Sequence, residues 1–149
     1  MTEVGFYHLT RWPLERALPK LLERVFASDH KVVLLAPSME RVEDLTGLLW
    51  TYDPGSWLPH GSARDGNAEA QPIYLTDKEE APNGADVLVV VEGMQPAFAG
   101  QFDRVVDMFN GRDEAAVAAA RQRWKAYSAA GHTLTYWQQT ESGGWQKRQ

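Results

Sequence analysis

The residues of this chain whose types and spacing could do chemistry are thinly spread, with one exception, the run Arg121-Gln122-Arg123-Trp124-Lys125. An aromatic wall buries apolar area while fixed cations accept a carboxylate, which is what holding an acidic peptide with an apolar end requires. Burying one Phe-sized anchor is worth about 1.5 to 3 kcal/mol. Hydrogen bonds to charged groups add about 1.5 to 3 kcal/mol each before solvent screening. Two or three such contacts, less the cost of ordering the ligand, correspond to roughly micromolar binding. At helical spacing Val117, Ala118, Arg121, Trp124, Lys125 and Ser128 share one face, and Ala116, Ala119, Ala120, Arg123, Tyr127 and Ala130 share the other. The alanine face is expected to lie against a sheet, with Tyr127 as bulk at its end, so Arg123 is structural or peripheral.

Other candidates lead nowhere catalytic. His8, His30, His60 and His132 form no HExxH and no pair at i, i+4, which leaves a metal site without support. There is no cysteine to act as a thiol nucleophile and no GxSxG elbow. Asp103 and Asp107 stand at i, i+4 in a predicted strand, where they read as a solvated rim or edge; paired carboxylates need a cleft before they become an acid and a base. The two strand-to-helix turns, Thr10-Arg11-Trp12-Pro13 and Ala36-Pro37-Ser38-Met39, match neither GxxxxGK nor GxGxxG, and proline removes an N–H donor from each. No catalytic residue, cofactor or metal is expected. The rival reading, motivated by the scaffold below, is a degenerate or unrecognised nucleotide-binding α/β enzyme.

Those side chains must be positioned by a strand, helix, strand, helix rhythm. Glu3 to Leu9 reads as a first strand, and Leu14, Ala17, Leu18, Leu21, Leu22, Val25 and Phe26 recur at three and four as an amphipathic helix. Pro19 either kinks its first turns or begins the regular helix. Lys31 to Ala36 is a continuously apolar strand, and Ser38 caps a helix through Val42, Leu45, Leu48 and Leu49. Thr51 to Gln71 is rich in Pro, Gly, Ser and Asn and reads as a long surface loop. Ile73 to Leu75, Asp86 to Val91 and Phe102 to Phe109 are further strands. An Ala-rich helix runs from Asp113 to about Ala130, Gly131 stops it, and Thr133 to Gln139 is the last strand. The predicted fold is α/β, a single Rossmann-like domain over 1–149 with a mostly parallel sheet flanked by helices.

Composition narrows the partners. The net charge of -5 argues against a broad phosphate-tracking surface, so direct nucleic-acid binding is not expected. From Arg112 to Gln149 there are six basic and three acidic residues, against nine and seventeen in the remainder, which points to a local acidic ligand. No apolar run could span a bilayer, and the start lacks a signal-peptide pattern; a cytoplasmic protein is expected.

The ordered set of motifs resembles the chi subunit of bacterial DNA polymerase III, an accessory protein of the clamp loader. It consists of Phe6-Tyr7-His8-Leu9, Lys31-Val32-Val33-Leu34, Ser56-Trp57-Leu58-Pro59-His60, Phe102-Asp103-Arg104-Val105-Val106-Asp107-Met108 and Arg121-Gln122-Arg123-Trp124-Lys125-Ala126-Tyr127 before Gly131. The resemblance covers nearly the whole chain and implies a Rossmann-like fold without nucleotide chemistry. It also implies an adaptor that binds the psi subunit or another clamp-loader component and, elsewhere, the acidic C-terminal tail of single-stranded-DNA-binding protein. A helicase-like repair protein is a further partner of the family. By the same resemblance the tail-binding role falls on Arg121, Trp124 and Lys125, with Phe109 as an apolar neighbour. Trp124 stands where a Tyr is more usual and Ser128 where some members have another Arg. Whether Trp145, Lys147 and Arg148 join the site is open at this level.

Overall fold

The most apolar runs form the middle of the sheet. In the computed structural model, which describes residues 2–53, 55 and 58–148, Val32–Leu35 (β2) and Val87–Val91 (β5) lie side by side with every side chain buried. Both faces are covered, so neither strand needs the alternation of a one-sided sheet. Around them stand Glu3–Leu9 (β1), Gly61–Ser62 (β3), Ile73–Thr76 (β4), Arg104–Asn110 (β6), Thr133–Gln139 (β7) and Trp145–Lys147 (β8), in the order β3-β4-β2-β5-β6-β1-β7-β8. All neighbours are parallel except β8, which returns antiparallel along β7. The predicted mostly parallel α/β sheet is thus the observed one.

Helices cover both faces. Leu14–Ala27 (α1) and Met39–Thr51 (α2) pack on the side carrying Tyr7, Leu34, Val89 and Met108. Glu114–Ala129 (α3) packs on the side carrying Phe6, Leu88, Val105 and Phe109, with a 3₁₀ turn at Ala97–Gln101 beside it. The Ser38 hydroxyl accepts from the Arg41 N–H and the Asp113 carboxylate from the Ala115 N–H, each meeting a donor that the first turn leaves free. The α1 helix starts at Leu14 and continues through Pro19, whose ring is buried. Among the described residues no helix is long and apolar enough to cross a membrane.

Several expectations are corrected. The segment 51–71 is not simply a surface loop. Leu58 and His60 are buried, His60 because its two ring nitrogens meet the Leu58 and Thr46 carbonyls, and β3 adds an edge strand to β4. Short polar stretches of this kind carry no periodicity to read. Ser56 and Trp57 of the middle motif lie outside the described residues. β7 is not the last strand, because Gly143 (φ 89°) turns the chain back into β8. Asp107 is not on a solvated rim. It lies in β6, 1% exposed beneath α3, while Asp103 precedes the strand and is exposed.

Candidate peptide-docking site

The cationic helix lies over β1, β6 and β7, and the strand register decides what surrounds it. Phe6 and His8 alternate onto the α3 side of β1, Phe6 in register with Tyr136 and His8 with Phe109. His8 Nδ1 lies 2.5 Å from the Tyr136 hydroxyl. There is room for the imidazole because residue 111 is glycine; a Cβ there would fall 1.8 Å from the His8 ring. Phe6 contacts Phe109 edge-on at 6.4 Å and Tyr127 at 6.0 Å, and the Trp124 indole at 5.3 Å.

The result is a cleft of about 540 Å³ with Phe6, Phe109, Trp124 and Tyr136 as its aromatic lining and Arg121 and Lys125 on its rim. Both cations are exposed and make no ion pair among the described residues. Burial pushes the Tyr136 phenol up, while the charges of Arg148 and Arg121 draw it back, so guanidinium groups from β8's end and from α3 bear on this one oxygen. Physically, the cleft can seat an apolar side chain on its aromatic floor and a carboxylate at its rim.

Of the sequence-predicted residues, Arg121, Trp124, Lys125 and Phe109 come together in this cleft. Ser128 is exposed outside its lining. The helical wheel needs adjustment, because the buried stripe runs through Ala120, Arg123 and Tyr127 with Val117 and Trp124 packed beside it, leaving Ala119 and Ala130 exposed. An indole is too large and apolar to stay on a solvent face beside Phe6, so Trp124 is at once core and wall. Arg123 is structural rather than peripheral. Its Nε and Nη2 donate to the two Asp107 oxygens at 2.7 and 3.0 Å, with the guanidinium side chain 4% exposed. Burial pushes the Asp107 carboxyl up, and the Arg123 bonds and charge pull against it.

Sequence reasoning missed His8 and Tyr136 as cleft residues. The available signal was alternation along β1 and β7, which becomes useful only once these strands are known to be neighbours. Arg148 stands on the Tyr136 side, its N–H bonded to the Tyr136 carbonyl, while Trp145 and Lys147 belong to the opposite face with Trp137.

A second, larger hollow of about 890 Å³ lies beyond the carboxyl ends of β1, β5 and β6. β1 and β6 are neighbours whose following helices depart to opposite faces, the place where open α/β sheets bind nucleotides. Here the ends of α1 and α3 meet their own carboxylates, Glu15 and Asp113. Arg41 is held by Glu92 at 2.6 Å and by Glu15 at 3.0 Å. Carboxylates therefore meet the first-turn N–H groups that a phosphate would use, although Arg112 in the same lining is exposed without an ion pair among the described residues. No group of three or more metal-ligating side chains gathers among the described residues.

An open, mostly parallel sheet with a self-capped crevice, and beside it an aromatic cleft rimmed by cations without an ion pair among the described residues, define an α/β protein on a nucleotide-binding type of scaffold. Residues 1–135 match the family described as DNA polymerase III chi subunit, HolC, and the chain belongs to that family of replication accessory subunits. It is 33% identical over 109 residues to the probable DNA polymerase III subunit chi of Rickettsia prowazekii, covering 73% of this chain and 66% of that one. To the subunit chi of Pseudomonas aeruginosa it is 28% identical over 137 residues, 90% of this chain and 94% of that one. The Escherichia coli subunit chi is 25% identical over 122 residues, 81% and 82% of the respective chains.

Proposed function

We propose that the chain is a non-catalytic, cytoplasmic replisome adaptor, one chi-like unit over 1–149, which docks the acidic C-terminal tail of single-stranded-DNA-binding protein in the α3 cleft. Another surface serves the psi subunit or a different clamp-loader component. The observation that carries the reading is the two cations, Arg121 and Lys125, without an ion pair among the described residues, on the rim of a cleft walled by Trp124 and floored by Phe6 and Phe109. The apolar terminal side chain enters between the rings, its free carboxylate meets Arg121 or Lys125, and preceding acidic residues use the remaining charge.

Titration with a short acidic peptide ending in Pro-Phe-carboxylate tests this. Roughly micromolar affinity is expected, weakening as salt rises. Arg121→Ala or Trp124→Ala removes most of it, and amidation of the peptide terminus weakens it. Unchanged titration curves in both variants sink the assignment. The rival nucleotide-dependent enzyme is favoured by the crevice position and opposed by the carboxylates of Glu15, Glu92 and Asp113. Millimolar ATP or NAD is accordingly expected to leave the melting temperature unmoved.

A further inference from the structure

The face opposite the α3 cleft carries a second cationic-aromatic surface that the tail-docking reading does not use. Between α1 and the β7–β8 hairpin lies a pocket of about 190 Å³ lined by Tyr7, Arg24, His30, Arg104, Trp137 and Trp145 among others, with no carboxylate in its lining. Tyr7 forms its floor, stacked on Trp137 at 5.9 Å and met edge-on by Trp145 at 5.0 Å. Gly5 beneath them is required, since a Cβ there would fall 2.9 Å from the Tyr7 ring. Arg104 Nη2 donates to the Tyr7 hydroxyl at 2.7 Å.

Cations continue along this face. Arg16, Lys20 and Arg24 are exposed on successive turns of α1, each about 6 Å further along the axis. Arg16 stacks over Trp12 at 4.0 Å, and Lys147 on β8 stands beside Trp137. Arg16, Arg24 and Lys147 make no ion pair among the described residues. Of the nearby carboxylates, Glu23 pairs with Lys20 at 3.7 Å, Glu141 with Arg11 at 3.1 Å and Asp86 with His30 at 2.5 Å, while Asp29 stands exposed between Ser28 and His30. Glu3 stands in register with Arg104 at the start of β1.

We propose that this face binds single-stranded DNA, with a base against the half-buried Trp137 and Trp145 rings and the phosphates following Arg24, Lys20 and Arg16 down α1. Aromatic platforms beside a line of cations are what an unpaired strand needs, because every base offers a π-face and every nucleotide a negative charge. The net charge of -5 opposes binding over the molecule as a whole. The fold gathers Arg16, Lys20, Arg24, Arg104 and Lys147 on one side, where Glu3, Glu23, Asp29 and Asp86 also stand.

The test is anisotropy of a labelled oligothymidylate titrated with the full-length chain at low salt. Binding is expected to weaken steeply with salt. Trp145→Ala should lower the affinity roughly tenfold. Arg24→Glu, an exposed substitution that spares the packing, should do the same and flatten the salt dependence by about one charge or more. Arg121→Ala, on the other face, should change neither quantity, so failure here and failure of tail docking are separable. Absence of binding at low salt overturns the proposal, as does binding insensitive to Arg24→Glu. Preference for polyglutamate over oligothymidylate would make the face a protein-docking surface and overturn it equally.

Discussion

Arg123→Ala removes one partner of a buried pair and leaves the other in place. Asp107 is 1% exposed and Arg123 3%, and among the described residues the carboxylate's side-chain partner is this guanidinium, through two hydrogen bonds. Stranding a buried charge in this way costs about 3 to 5 kcal/mol. For a chain of this length each kcal/mol lowers the melting temperature by about 2 to 4 °C, so a fall of about 6 to 20 °C is expected. Circular-dichroism melts of the full chain at neutral pH measure it. With Arg123 gone, burial alone acts on Asp107 and raises its folded pKa above the unfolded value. A raised pKa favours the fold below the unfolded value and loses that contribution as pH rises through the folded one. The deficit should therefore be largest at pH 7 and shrink toward acid. Replacing both partners, Asp107→Leu with Arg123→Met, should recover most of the loss, because an apolar pair leaves no charge stranded. A loss below about 1 kcal/mol in Arg123→Ala, or a double variant no better than the single, would refute the reasoning.

Two other residues give tests of packing. The Tyr127 hydroxyl is buried without a hydrogen-bond partner among the described residues, so Tyr127→Phe should leave the melting temperature unchanged or raise it slightly. Burial, aided by Asp107 and opposed by Arg123, pushes this phenol up to about 12, above its unfolded value. Its contribution to stability is therefore present below about pH 10 and lost between about 10 and 12, and spectrophotometric titration of the wild-type phenols should show one group ionising late. Gly143→Ala places a methyl 2.2 Å from the Trp12 ring at a positive φ, and should lower the melting temperature and change the near-ultraviolet tryptophan signal. An unchanged spectrum would mean that the hairpin is not seated on Trp12.

Much of the scaffold was legible because burial writes a period into the chain. β2 and β5 are continuous apolar runs, α1 repeats at three and four, and Ser38 and Asp113 announce their helices. The short β3 and β8 strands were not legible. Gly61–Ser62 and Trp145–Lys147 are too brief for a period and form only where a partner strand offers an edge.

By itself the sequence determined the local signals: which segments are apolar, where helices begin, and that Arg121, Trp124 and Lys125 fall close together on one helix. Only the tertiary structure decided which groups meet across the sheet. Parallel register puts Phe6, His8, Phe109 and Tyr136 under that helix, turns Asp107 from a rim residue into the buried partner of Arg123, and sends Trp145 and Arg148 to opposite faces. The physical reason is that a period states which side of an element is apolar, while the identity of the facing element depends on strand order, a property of contacts between residues more than 100 positions apart.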